Sequence, residues 1–200
     1  MEELVQFNSG DIQLEGLLYQ GISGKGVVIT HPHPLYGGDM YNPVVEYMAR
    51  AYKSKDYTTL RFNFRGVGNS RGSYDDGPGE KQDVLSAVSY LKEYGSDPVD
   101  LAGYSFGAWI IALLGCSDIS NGNMLMVSPP VAFIKFKNIN PLPCLKLVVT
   151  GDRDEIAPAG LIQTMIPSWN PESQFEKIEF ADHFYSGALA KLETAISRAI

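Results

Sequence analysis

Two hundred residues, 44% of them hydrophobic and 20% charged, have the length and composition of a globular domain with a sizeable buried core. A net charge of −7, with the basic residues scattered, excludes a general nucleic-acid binder, which needs clustered lysine and arginine, and offers no attraction to an anionic membrane. No apolar run approaches the roughly 20 residues that span a bilayer.

The opening MEELVQFNSG has neither the basic nor the apolar region of a signal peptide. The two cysteines, Cys116 and Cys144, form no CxxC pair and are read as buried or free thiols. Both readings predict a cytoplasmic location. No repeat, low-complexity tract or long linker divides the chain, which predicts one domain over residues 1–200.

Leu4–Phe7 and Ile12–Tyr19 alternate apolar and polar residues around Asn8-Ser9-Gly10-Asp11, the pattern of an antiparallel hairpin. Val27–Thr30 is a short apolar run, the mark of a strand covered on both faces. Asn42-Pro43 then opens a helix, asparagine as N-cap and proline in the first turn. Thr58–Phe64 reads as a strand and Gly79–Tyr94 as a helix, with Val84, Leu85, Val88 and Leu91 at three- and four-residue spacing. Strand Val99–Ala102, helix Phe106–Leu114 and strands Met124–Ser128 and Leu145–Thr150 follow. A helix around Pro158–Met165, a strand at Gln174–Phe180 and a helix from about Tyr185 complete the chain. Strands alternating with helices predict a mainly parallel sheet of about eight strands, with helices on both faces and an antiparallel edge from the opening hairpin. Ligands of such sheets bind beyond the C-terminal strand ends, so the residues after each strand carry the functional argument.

Strand Val99–Ala102 runs into Gly103-Tyr104-Ser105-Phe106-Gly107 and then a helix, which is G-x-S-x-G in the strand–turn–helix context that makes serine a nucleophile. Glycines two before and two after the serine relieve crowding in the tight turn, and the helix N-terminus favours developing negative charge. Serine at its ordinary pKa needs a base. Of His31, His33 and His183, the last follows the final strand and stands at the ligand edge. An imidazole base needs a carboxylate to fix its tautomer. Asp154, in Gly151-Asp152-Arg153-Asp154-Glu155 after a strand, is the first choice and Asp152 the second. A tetrahedral intermediate needs preorganised donors. Phe106 N–H is one; the loop after Val27–Thr30 supplies the other, and because Pro32 and Pro34 have no N–H the candidates are Leu35, preferred, and His33. His31, His33 and Asp39 could instead share a metal, but no HExxH, cysteine cluster or third ligand at familiar spacing accompanies them. The site residues thus imply neither a metal nor a cofactor.

Three motifs carry a family resemblance: His31-Pro32-His33-Pro34-Leu35-Tyr36-Gly37-Gly38, the run from Arg61 to Ser70 (RFNFRGVGNS), and Gly103–Gly107. They resemble the small HPHP α/β-hydrolases, a group similar to dienelactone-hydrolase-like and short esterase proteins, and the likeness extends from about Val27 to His183. The resemblance implies the α/β-hydrolase fold, whose chain order of nucleophile, acid and base matches Ser105, Asp154 and His183. It also implies an arginine–glycine turn at Arg65 bordering the site, read as structural through pairing with Asp75 or Asp83. Dienelactone hydrolases proper use a cysteine nucleophile where this chain has Ser105, so their activity does not carry over. Many relatives insert a helical cap where this chain has only Pro129–Pro143, in which Val131, Phe133, Ile134 and Phe136 could form a small apolar flap. The expected function is hydrolysis of a small ester-like substrate through an acyl-enzyme, most economically a carboxylesterase. A thioesterase or peptidase would use the same residues, and a non-catalytic binding protein would keep only the fold.

Overall fold

The computed structural model describes residues 1–117, 119, 121–134, 136 and 139–200. Strands β1 (Glu3–Ser9), β2 (Ile12–Tyr19), β3 (Gly26–Thr30), β4 (Thr58–Phe62), β5 (Val99–Tyr104), β6 (Met124–Val127), β7 (Leu145–Gly151) and β8 (Gln174–Ile178) form one sheet. Helices α1 (Pro43–Lys53), α2 (Pro78–Glu93), α3 (Phe106–Leu114) and α4 (Ala159–Trp169) lie in the connections, and α5 (Leu189–Ala199) follows the last strand. The strand order is β1-β2-β4-β3-β5-β6-β7-β8; β1 and β2 pair antiparallel and every pair from β4 onward is parallel. This is the α/β-hydrolase fold. The sequence from β6 to β7 leaves room for no cap domain, and no helix among the described residues is long and apolar enough to cross a membrane.

The alternation of strand side chains builds two separate cores. Val28, Leu60, Leu101, Met126 and Val148 face α2, α3 and α4, with Val84, Ile110 and Ile162 among their partners. Val27, Ile29, Ala102, Leu125 and Val149 face the opposite layer, where α1 contributes Val45 and Met48 and α5 contributes Leu192 and Ile196. A strand between two such layers must be apolar on both faces, which explains the unbroken run in β3.

Two helices depart from their expected bounds. Pro167 argues for a stop near Met165, yet α4 continues through it, because Trp169 is buried against Phe136 with ring centroids 5.5 Å apart. The last helix begins at Leu189 rather than near Tyr185, because Tyr185 and Gly187 both have left-handed backbone that a helix cannot hold. The free-thiol reading is also corrected. The end of α3 and the entry to β7 bring Cys116 and Cys144 to a Cα–Cα distance of 5.7 Å, where they form a disulfide. Their separation of 28 residues hid the pairing, and the bond removes the thiol argument for a reducing compartment.

Candidate active site

The site lies at the C-terminal edge of the parallel strands, where the turns after β3, β5, β7 and β8 meet. The first link is local backbone. Ser105 has φ 53° and ψ −117°, a conformation that costs a non-glycine residue about 1–3 kcal/mol and is kept only where the surroundings impose it. Its N–H donates to the Val127 carbonyl at 2.9 Å, and its own carbonyl accepts from Ala108 and Trp109 in the first turn of α3. Glycine at 103 and 107 is a steric requirement. A Cβ on Gly103 would stand 2.6 Å from the Ala108 nitrogen, and one on Gly107 would stand 2.7 Å from the Thr30 carbonyl oxygen.

His183 Nε2 lies 3.0 Å from Ser105 Oγ, and His183 Nδ1 lies 2.9 and 3.0 Å from the two oxygens of Asp154. The carboxylate fixes Nδ1 as the protonated nitrogen, so Nε2 is left to accept from the serine hydroxyl. Asp154 Oδ1 also accepts from the amides of Ile156 and Ala157 at 2.9 and 2.7 Å. Burial alone would raise the Asp154 pKa. The hydrogen bond and charge of His183, with the Ala157 amide and Ser128, outweigh it and hold the group below the ordinary carboxylate value. Asp152, the second choice, does different work: it is exposed and accepts from the Phe180 amide at 2.7 Å, shaping the neighbouring turn.

Three residues that support this relay, Ser128, Tyr185 and Tyr104, escaped the sequence reasoning. Ser128, at the exit of β6 with φ 45°, bonds both Asp154 and the Tyr185 hydroxyl, the latter at 2.9 Å. Tyr104 donates to the His183 carbonyl at 2.9 Å. Ser128 lies in the turn after a strand, the one signal that could have marked it; Tyr185 carries none, since it reaches the site from a loop far along the chain.

The turn after β3 divides its histidines by role. His31 is fully buried; its Nδ1 donates to the Pro32 carbonyl at 2.6 Å and its Nε2 accepts from the Phe64 amide at 3.1 Å. Burial drives its pKa down to about 4, so the ring is neutral and both nitrogens are committed to the backbone. The rival metal set loses His31 on that ground. His33 caps a 3₁₀ turn at Pro34–Tyr36 by accepting the Leu35 N–H at Nδ1, 3.2 Å away. The preferred second oxyanion donor is therefore already engaged, on a residue 66% exposed. His33 itself borders both cavities at Ser105. Phe106 opens α3, and the first amides of a helix have no partner within it.

The larger cavity, about 780 Å³, runs from Ser105 along Phe106 and Trp109 beneath Phe133 and Ile134. A smaller one of about 320 Å³ lies against His183 and Phe184. The predicted flap thus splits: Phe133 and Ile134 line the cavity, whereas Val131 and Phe136 pack into the core. Arg65 is structural as expected, bound through Nη2 to Asp83 Oδ1 at 2.8 Å, while Asp75 adds only its charge from farther off. Glu15 locks the same turn by accepting from Asn63 and Asn69.

A serine, histidine and aspartate in hydrogen-bond sequence at this edge of this sheet narrow the kinship, and residues 27–199 match the alpha/beta hydrolase family. The chain belongs to that family. This hydrolase is 32% identical to the uncharacterised protein RP471 of Rickettsia prowazekii over 205 residues, 96% of this chain and 86% of that one. It superposes on an alpha-beta serine hydrolase homologue from Coxiella burnetii with a TM-score of 0.88 and 33% identity, covering 99% and 96% of the two chains. A serine hydrolase without lid from Xanthomonas campestris, XC6422, gives a TM-score of 0.89 at 26% identity over 99% and 93%.

Proposed function

We propose that residues 1–200 form one serine-hydrolase domain that cleaves small carboxylic esters through an acyl-enzyme. The observation that carries this reading is the continuous bond path from Asp154 through His183 to Ser105 Oγ, with distances of 2.9 and 3.0 Å. His183 Nε2 takes the Ser105 proton as Oγ bonds to the substrate carbonyl carbon. The carbonyl π electrons move to oxygen, and the amides of Phe106 and His33 hold that charge; His33 replaces Leu35 in this role because the Leu35 amide is engaged. The intermediate collapses, the alkoxide leaves with the proton from His183, and water repeats the cycle on the acyl-serine. No cofactor enters this scheme. The open cleft and short flap support a small substrate.

A fluorophosphonate probe is expected to label the folded protein at Ser105 and to leave Ser105→Ala unlabelled. A panel of esters, thioesters and amides of graded acyl length, run with and without EDTA, is expected to show EDTA-insensitive turnover of short esters that Ser105→Ala abolishes. Intact protein without labelling would make this a binding protein on a hydrolase fold. Faster thioester or amide turnover would move the substrate class while keeping the mechanism.

A further inference from the structure

The two cavities at Ser105 divide the substrate. In the ester mechanism, on which this inference rests, the departing oxygen must receive its proton from His183 Nε2. Of the two cavities, His183 borders only the smaller. The alcohol portion therefore belongs there, and the acyl portion extends into the larger cavity along α3.

The chemistry of that larger cavity is selective. Tyr36, Tyr74, Phe106, Trp109 and Phe133 supply aromatic walls. The Phe106 ring packs at 5.9 Å from Tyr74 and 5.5 Å from Trp109, so these rings form one continuous surface. Among the described residues the lining contains no lysine or arginine. Its histidine, His33, is held below its ordinary pKa by burial, against the pull of Asp76 and Glu80, and so adds no positive charge. Among the described residues its one carboxylate is Asp76, exposed and fixed at the rim by the Tyr74 hydroxyl at 3.0 Å. Glu80 adds its field from beneath, with its carboxylate accepting the Asp75 and Gly77 amides. Aromatic faces present negative quadrupole charge, and with an acidic rim they complement a weakly hydrated cation while repelling an anion.

We propose that the larger cavity is an acyl site selective for acids bearing a cationic substituent, such as a quaternary ammonium, esterified to a small alcohol. The test uses ethyl esters of ω-trimethylammonio acids of graded chain length, each beside its neutral ω-tert-butyl isostere and a matched ω-carboxylate. At the best length the cationic ester is expected to exceed its isostere in kcat/KM by about tenfold, through cation–π attraction and the charge of Asp76. The carboxylate is expected to be the slowest, and added salt should narrow all these differences. Asp76→Asn is expected to lower the cation-to-isostere ratio severalfold while leaving it above one, because the aromatic walls remain; asparagine tolerates the left-handed backbone at this position, φ 51°. Reversed esters, with the trimethylammonio group on the alcohol, are expected to show no such ratio. Cationic esters no faster than their isosteres at every length, or a ratio unmoved by Asp76→Asn, would overturn the cation site. A preference found only in the reversed esters would overturn the division of the cavities. Failure of the underlying mechanism looks different: no ester is turned over and no fluorophosphonate label appears, and the inference falls with it.

Discussion

Stability should depend on a histidine that takes no part in the proposed chemistry. His31 is fully buried, its ring packs at 4.7 Å against Phe64, and both nitrogens bond the backbone. Burial sets its folded pKa at about 4, against 6.5 when exposed. As pH falls, the unfolded chain binds the proton first, so His31's contribution is complete above about 6.5 and is lost progressively down to about 4. The gap corresponds to about 3 kcal/mol, a large share of the total stability of a domain. Asp154, Glu2 and Glu15, each held below its ordinary value, lose stability in the same direction, but they titrate at lower pH. His33, also depressed, contributes within the same window. Comparison with His31→Gln isolates the one ring. Urea unfolding at pH 7.5 and 4.5 should show the variant weaker at pH 7.5, yet losing about 2–3 kcal/mol less than the wild type on acidification. Equal losses in the two proteins would refute the reasoning.

Asp154→Asn should keep the fold but reverse the His183 tautomer, lowering kcat on the order of 10⁴-fold in an ester assay with near-native circular dichroism. Gly107→Ala places a Cβ 2.5 Å from Thr30 Oγ1 and 2.8 Å from the His31 carbonyl oxygen; the first turn of α3 must shift, and fluorophosphonate labelling should slow by at least about tenfold. Reducing Cys116–Cys144, or replacing both with alanine, should cost about 3.5 kcal/mol for the 28-residue separation, read as a lower urea midpoint.

Local signals are what the sequence transmitted well. Asn42 and Pro43 start α1 as expected, with the asparagine side chain accepting the Val44 amide. The glycines around Ser105 sit in the turn between β5 and α3, as their spacing suggested, because the crowding they relieve arises within a few residues. Failures came where distant parts decide. Trp169 carries α4 past its expected end near Met165 by packing on Phe136, and Cys144 meets Cys116 only once β7 lies beside β6. The proposal of His33 over Leu35 as donor rests on an imidazole that accepts the Leu35 amide in a three-residue turn, a side-chain geometry that spacing does not encode. Ser128 and Tyr185 stayed hidden for the same reason: they meet across 57 positions of chain.

The disulfide also closes a circuit. Ser105 heads α3 and Cys116 lies just past its tail; Cys144 immediately precedes β7, and Asp154 lies just beyond its far end. Helix, sulfur bridge, strand and the imidazole between the two side chains make a hoop, covalent at the rear and hydrogen-bonded at the front. Sliding the helix along the strand would strain the hoop at both ends at once, so the spacing of serine and aspartate is pinned from behind as well as by the histidine between them.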